Sequence, residues 1–266
     1  MKNNKYYYLL AVLMMAVAFL ATWQMRINAQ AEGKAIQISL TTDKDNHALG
    51  ELIGLKFDVR NVSGESLEVK QPSVRTGNLR LFISSDGRRY VEYVGPNWGS
   101  LDSKRQQMQL GAGESFEDKA TLLYNRRIPT AHLTPMYADK IRKERVDTEF
   151  AFLEAGHYWL KATYTNGKDT FRSDAIEIDV TLPVGSDAVV WEQIKTDGAF
   201  AYFLHTGEVK YMPGSEESQV FVEKLRSITA DYPNTNFSER LSEGLVKYNR
   251  NLEYVQRLKA ERQAAN

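Results

Sequence analysis

From Ala35 to Leu182 the apolar residues fall on every second position in short runs separated by turn formers. Ile36, Ile38 and Leu40 alternate, then Ile53, Leu55, Phe57 and Val59, then Leu67 and Val69. This period predicts strands with one face in a core and one in water. Leu79, Leu81 and Ile83 lead into Ser85-Asp86-Gly87, and a second alternating run follows through Tyr90, Val91, Glu92, Tyr93 and Val94. Asp-Gly tolerates the positive φ of a tight turn, so these two runs are expected to pair as a hairpin. Asn166-Gly167 has the same role between Tyr158–Thr165 and Thr170–Thr181. Seven or eight short strands with few helical stretches among them predict a sandwich rather than a doubly wound sheet.

After Pro183 the period lengthens. Ser186 or Asp187 can cap a helix carrying Val190, Trp191 and Ile194, with Phe200, Tyr202, Phe203 and Leu204 in a second short segment. Ser215 or Ser218 opens a helix striped by Phe221, Leu225 and Ile228, and Pro233 interrupts the chain after it. Phe237, Leu241, Leu245, Tyr248, Leu252 and Val255 then recur at steps of three and four, the signature of an amphipathic helix. The last two helices form an expected αα-hairpin. The predicted fold class is therefore mainly β with an α tail: an Ig-like antiparallel β-sandwich over residues 32–182 and a helical region over 183–266.

The first residues read as an address. Lys2 and Lys5 precede an apolar run from Leu9 to Trp23, and Ala29-Gln30-Ala31 offers small residues for a signal peptidase. Residues 1–31 are thus expected to be a signal peptide, with an uncleaved signal anchor as the alternative. Export to the periplasm or the cell exterior follows, with membrane contact only through that segment if it is retained.

Gly111-Ala112-Gly113-Glu114-Ser115, a strand ending Leu122-Leu123-Tyr124, and Gly156-His157-Tyr158-Trp159-Leu160-Lys161-Ala162-Thr163-Tyr164 together resemble the late half of bacterial exported Ig-like sandwiches. Asn61-Val62-Ser63 resembles the early half. The pattern is loosely similar to proteinase-inhibitor-type sandwiches as well. The resemblance implies the sandwich fold, with Tyr158 at a corner of the strand it begins.

Composition narrows the chemistry. The chain has 266 residues, 34 basic and 34 acidic side chains and no cysteine. Zero net charge gives no field that would draw nucleic acid. Lack of cysteine removes disulfides, thiolate metal sites and a cysteine nucleophile. His47, His132, His157 and His205 lie at no helical ligand spacing. Asp43-Lys44-Asp45-Asn46-His47 has the acid density of a calcium loop but the wrong ligand order, with Gly50 two places late, so it reads as a solvated turn. No nucleophile elbow, zinc-protease or phosphate-loop motif occurs. No metal, cofactor or catalytic constellation is expected.

Two long loops remain as candidate binding surfaces. Tyr90, Tyr93 and Trp98, the last between Pro96 and Gly99, could present aromatic faces to a glycan or a protein. Arg126, Arg127, Lys140, Arg142 and Lys143 make the second long loop basic, and Thr134-Pro135 can start a short helix there. The sequence thus supports a non-catalytic exported binding module that contacts an envelope protein through sandwich loops and helical tail. The alternatives are a carbohydrate-binding protein using Trp98 and its neighbouring tyrosines and, more weakly supported, a proteinase inhibitor.

Overall fold

The computed structural model describes residues 35–96, 98, 107–125 and 150–264. Eleven strands are assigned among them: β1 (Ile36–Thr42), β2 (Asn46–Ala48), β3 (Ile53–Asn61), β4 (Leu67–Lys70), β5 (Leu79–Ser84), β6 (Val91–Tyr93), β7 (Gln107–Leu110), β8 (Ser115–Leu122), β9 (Gly156–Asn166), β10 (Asp169–Arg172) and β11 (Ile176–Thr181). One sheet has the order β1-β3-β8; the other has β2-β11-β9-β5-β6, with β10 also on β9, and β4 pairs with β7. Every pairing is antiparallel except β2 with β11, which is parallel. The mainly β fold with a helical tail stands as the sequence pattern predicts.

The alternation explains the layers. In β1 the buried side chains are Ile36, Ile38 and Leu40, and in β3 they are Ile53, Leu55, Phe57 and Val59. Leu79 and Leu81 of β5, Leu160, Ala162 and Tyr164 of β9, and Ile178 and Val180 of β11 supply the other inner face. Burying one face of each sheet is the main stabilising term, on the order of 2 kcal/mol for each large aliphatic side chain removed from water. The register places Asp118 opposite Phe57, an inward position for an acid. Its Oδ2 accepts the backbone N–H of Val74 at 2.9 Å, which offsets part of the desolvation.

Local chemistry fixes the turns. Asp86 Oδ1 accepts from the backbone N–H groups of Arg88 and Arg89, and Gly87 takes φ +69°. Those donors, with Ser84 Oγ, hold the Asp86 carboxyl down at about 2. β5 and β6 pair across this turn as expected. Asn61, fully buried at the end of β3, donates to the carbonyls of Glu65 and Leu110 and accepts from Ser63. Tyr158 Oη donates to Glu154 O at 2.8 Å, the backward bond that fixes a tyrosine corner.

One expected strand is interrupted. The run Thr170–Thr181 divides into β10 and β11 around Ser173-Asp174-Ala175. Arg172 pairs with Thr163 and Ile176 with Leu160, so this stretch carries one more residue than β9 does, a β-bulge. Ser173 Oγ accepts the Ala162 N–H that the bulge would leave bare. The Asp43–Asp45 segment is the turn between β1 and β2, and Asp43 Oδ1 accepts from Gly54 N.

The tail holds four helices: α1 (Ser186–Ile194), α2 (Gly198–Thr206), α3 (Glu216–Asp231) and α4 (Asn236–Ala264). Asp197 caps α2 and Ser215 caps α3 through side-chain oxygens. The cap of α1 differs from expectation: it is Gly185 without a side-chain bond, and Asp187 lies inside the first turn. Asp187 instead accepts from Asn236 N and Nδ2 at the start of α4. Helices α2 and α4 cross closely because Gly244 has no Cβ; an added one would stand 2.2 Å from Phe203 Cζ. The buried apolar side chains of sandwich and tail form one continuous cluster, from Ile36 through Leu123 and Trp191 to Leu241. Among the described residues no helix is long and apolar enough to cross a membrane.

Candidate functional site

The tail is pinned to one end of the sandwich by aromatic edges and by a histidine. Phe150 meets Trp191 of α1 edge-to-face at 4.9 Å, and Tyr124 meets Tyr202 of α2 at 5.3 Å. His205, in the last turn of α2, lies 3.0 Å from Thr121 Oγ1 through Nε2, and its Nδ1 accepts the Tyr124 N–H at 3.2 Å. Accepting at Nδ1 places the proton on Nε2, which then donates to Thr121. Arg240 of α4 donates to the carbonyls of Leu204 and His205, both at 3.0 Å. These bonds satisfy the open end of α2 and set a fixed cation beside the imidazole. Burial, then Arg240, lowers the His205 pKa to about 4, so the ring is neutral at physiological pH.

Docking leaves a cleft of about 590 Å³ between the two parts. Leu49 and Gly50 of the turn after β2, Leu123 after β8, Leu204 of α2 and Phe237 of α4 give it an apolar floor. Gly50 adopts φ +81°, and a Cβ there would stand 2.7 Å from the Phe237 ring, so the glycine permits both the turn and the contact. Lys44, Glu51, Asp187, Glu239, Arg240 and Glu243 form a charged rim. Leu182 and Val184 complete it at 64% and 81% exposure, on either side of buried Pro183. A pocket of this size with an apolar floor and a charged rim has the general character of a binding site.

Near it, His47 is buried with Nε2 2.8 Å from Lys44 O. Its Nδ1 has no hydrogen-bond partner among the described residues, and Glu51 Oε1 stands 3.8 Å away. On the outer face of the larger sheet, His157 bonds Asp179 through Nδ1 at 2.7 Å and Glu177 through Nε2 at 3.0 Å. Both carboxylates favour the imidazolium, Asp179 first, and raise the His157 pKa. Among the described residues no group of three or more potential ligands stands close enough to hold a metal ion.

The expected aromatic patch does not assemble. Tyr93 is 1% exposed and Trp98 7%, and their rings meet edge-to-face at 5.1 Å. Trp98 also meets Phe57, and a Cβ on Gly95 would stand 2.5 Å from the indole Nε1, so a glycine is needed beneath the ring. Tyr93 Oη donates to Tyr124 O at 2.7 Å and accepts from Leu123 N, which makes it a strut inside the sandwich. Tyr90 lies elsewhere, half-buried, with Lys161 Nζ 4.3 Å from its ring centre. Tyr93 and Trp98 are therefore corrected from surface to core. Arg126, Arg127, Lys140, Arg142 and Lys143, and the Thr134-Pro135 helix start, lie outside the described residues. Sequence reasoning missed the cleft because its lining comes from separate stretches of the chain, none of which carries a motif.

No family model and no curated protein matches the chain. Solved structures give weak likenesses. A β-glucosidase from Erythrobacter marinus matches with 13% identity and TM-score 0.29 over 55% of this chain and 15% of its own. The CARDB domain of a Pyrococcus furiosus protein matches with 11% identity and TM-score 0.27 over 56% of this chain and 94% of its own. A sporulation control protein from Bacillus subtilis matches with 8% identity and TM-score 0.29 over 60% of this chain and 54% of its own. The chain thus spans a small fraction of the glucosidase, and scores at this level carry no functional argument.

Proposed function

We propose that the protein is an exported, non-catalytic binding module of the bacterial cell envelope, and that it contacts a protein partner through the cleft between sandwich and tail. The observation that carries this reading is the joint construction of the cleft. A sandwich turn, the connection after β11 and the first turns of α4 all contribute, and two large aliphatic side chains stand exposed at its mouth. Exposed apolar side chains at the mouth of a concave site add apolar area that a bound partner would remove from water. The glycan alternative loses its main support, because buried Trp98 offers no open face for a sugar ring.

The test is site-specific photocrosslinking of the full chain in its native envelope. A photoreactive residue replaces Val184 at the cleft mouth or, as control, exposed Val91 of β6. The expected result is a saturable polypeptide adduct at 184 and none at 91. Equal adducts at both positions, or adducts with polysaccharide alone, would refute the reading.

A further inference from the structure

We propose that the cleft accepts a polypeptide segment that carries a lysine or arginine side chain next to a bulky apolar one. This deepens the partner-site reading above and rests on it.

Most of the charged groups on the rim are already engaged. Lys44 and Glu51 pair with each other at 2.6 Å. Asp187 spends both carboxylate oxygens on Asn236. Arg240 is committed to the carbonyls closing α2. Two carboxylates are left. Glu239 makes no ion pair or hydrogen bond among the described residues, and Glu243 reaches only the far side of Arg240 at 4.0 Å. Both are exposed, and they stand one helical turn apart on α4, where i and i+4 side chains are neighbours. A rim with its cations occupied, Glu239 unpaired and Glu243 held only loosely by Arg240 selects a cation.

The apolar side chains of the cleft set the size of the occupant. Leu49, Leu123 and Phe237 are already buried at the floor, whereas Leu182 and Val184 lie in water at the mouth. A small organic cation seated on the floor would leave Val184 uncovered. A chain crossing the mouth covers both side chains and still delivers a cation to Glu239 and Glu243. Removing these aliphatic groups from water supplies affinity, while the carboxylates supply orientation and discrimination.

The experiment selects a displayed library of random short peptides on the immobilised full chain. Three forms are compared: the wild type, Glu239→Gln/Glu243→Gln, and Leu182→Ser/Val184→Ser. All four positions are exposed, so the variants should keep the wild-type circular dichroism and melting temperature. Wild-type selection is expected to enrich Lys or Arg beside Leu, Ile or Phe. A synthetic peptide from that pool should bind the double Gln variant about tenfold more weakly, the combined effect of two partly exposed charge pairs. It should lose detectable binding to the double Ser variant. Peptides that need Leu182 and Val184 but bind the double Gln variant equally well would overturn the cation preference and leave the cleft reading standing. Peptides indifferent to both pairs of substitutions would overturn the cleft reading itself. A dimer in sedimentation that the double Ser variant abolishes would show a second copy as occupant and overturn the proposal.

Discussion

His205 makes the junction between sandwich and tail sensitive to acid, and His205→Asn isolates that sensitivity. In the folded protein the ring is neutral, with its pKa lowered from 6.5 to about 4 by burial and by Arg240. The unfolded chain takes up the proton near 6.5, so between those two values the unfolded state binds more protons and stability falls as pH falls. The contribution is complete above about pH 7. Integrating between the two values gives a loss of about 1 kcal/mol at pH 6, about 2 at pH 5 and about 3 at pH 4. The shorter asparagine side chain of the variant can offer its carbonyl oxygen to the Tyr124 N–H but cannot reach Thr121, so at pH 8 it costs about 1 kcal/mol for one hydrogen bond. It does not titrate. The wild type should therefore be more stable at pH 8, equal near pH 6, and less stable than the variant by about 1 kcal/mol at pH 5. Urea unfolding of both forms at pH 8, 7, 6 and 5 measures this directly, because the other titrating groups are common to both and cancel. Parallel stability curves would refute the assignment of His205 as a neutral acceptor at the junction.

Three further outcomes follow from the packing and the ion pairs. Gly244→Ala adds a Cβ 2.2 Å from Phe203 Cζ; overpacking of about 1–3 kcal/mol outweighs a helix-propensity gain of about 1, so thermal unfolding should show a lower melting temperature. Trp98→Ala removes a ring buried against Tyr93 and Phe57 and should cost about 3–5 kcal/mol in chemical denaturation, whereas an exposed tryptophan would cost almost nothing. His157, paired with Asp179 and Glu177, should titrate above 6.5 by NMR, and Asp179→Asn should move that midpoint down. Its stabilising contribution is present below 6.5 and lost as pH rises through the raised value, opposite in sign to His205.

The strands were legible because burial on one face writes a period of two into the sequence; Asn166-Gly167 marks a tight turn, while Asp86-Gly87 marks the longer Ser85–Tyr90 connection between two strands that do pair. The α4 stripe was legible for the same kind of reason. Other features depend on partners that the local sequence does not name. Trp98 sits among loop formers, and its burial is decided by Tyr93 and Phe57 on other strands. The bulge at Ser173 lies where Phe171 and Ile176 fall out of phase, and Ser173 Oγ takes the Ala162 N–H across the sheet there. Asp187 looked like a cap for its own helix and instead serves Asn236 of α4, 49 residues away.

That last bond shows why the candidate site stayed hidden. A carboxylate engaged at home, as Asp187, Glu51 and Asp118 are, is closed to a partner, while Glu239 and Glu243 are indistinguishable from them as letters in the sequence. Only the docked tail separates the two kinds. It draws Arg240 onto the α2 carbonyls, leaves Glu239 unpaired and Glu243 only loosely paired on one turn of α4, and faces them toward the sandwich turn that carries Leu49 and Gly50. The junction that buries the aromatic edges of Trp191 and Tyr202 is thus the same event that creates the cleft. Undocking of the tail on protonation of His205 should weaken binding of a selected peptide at acid pH, read by fluorescence anisotropy, while circular dichroism shows the sandwich still folded.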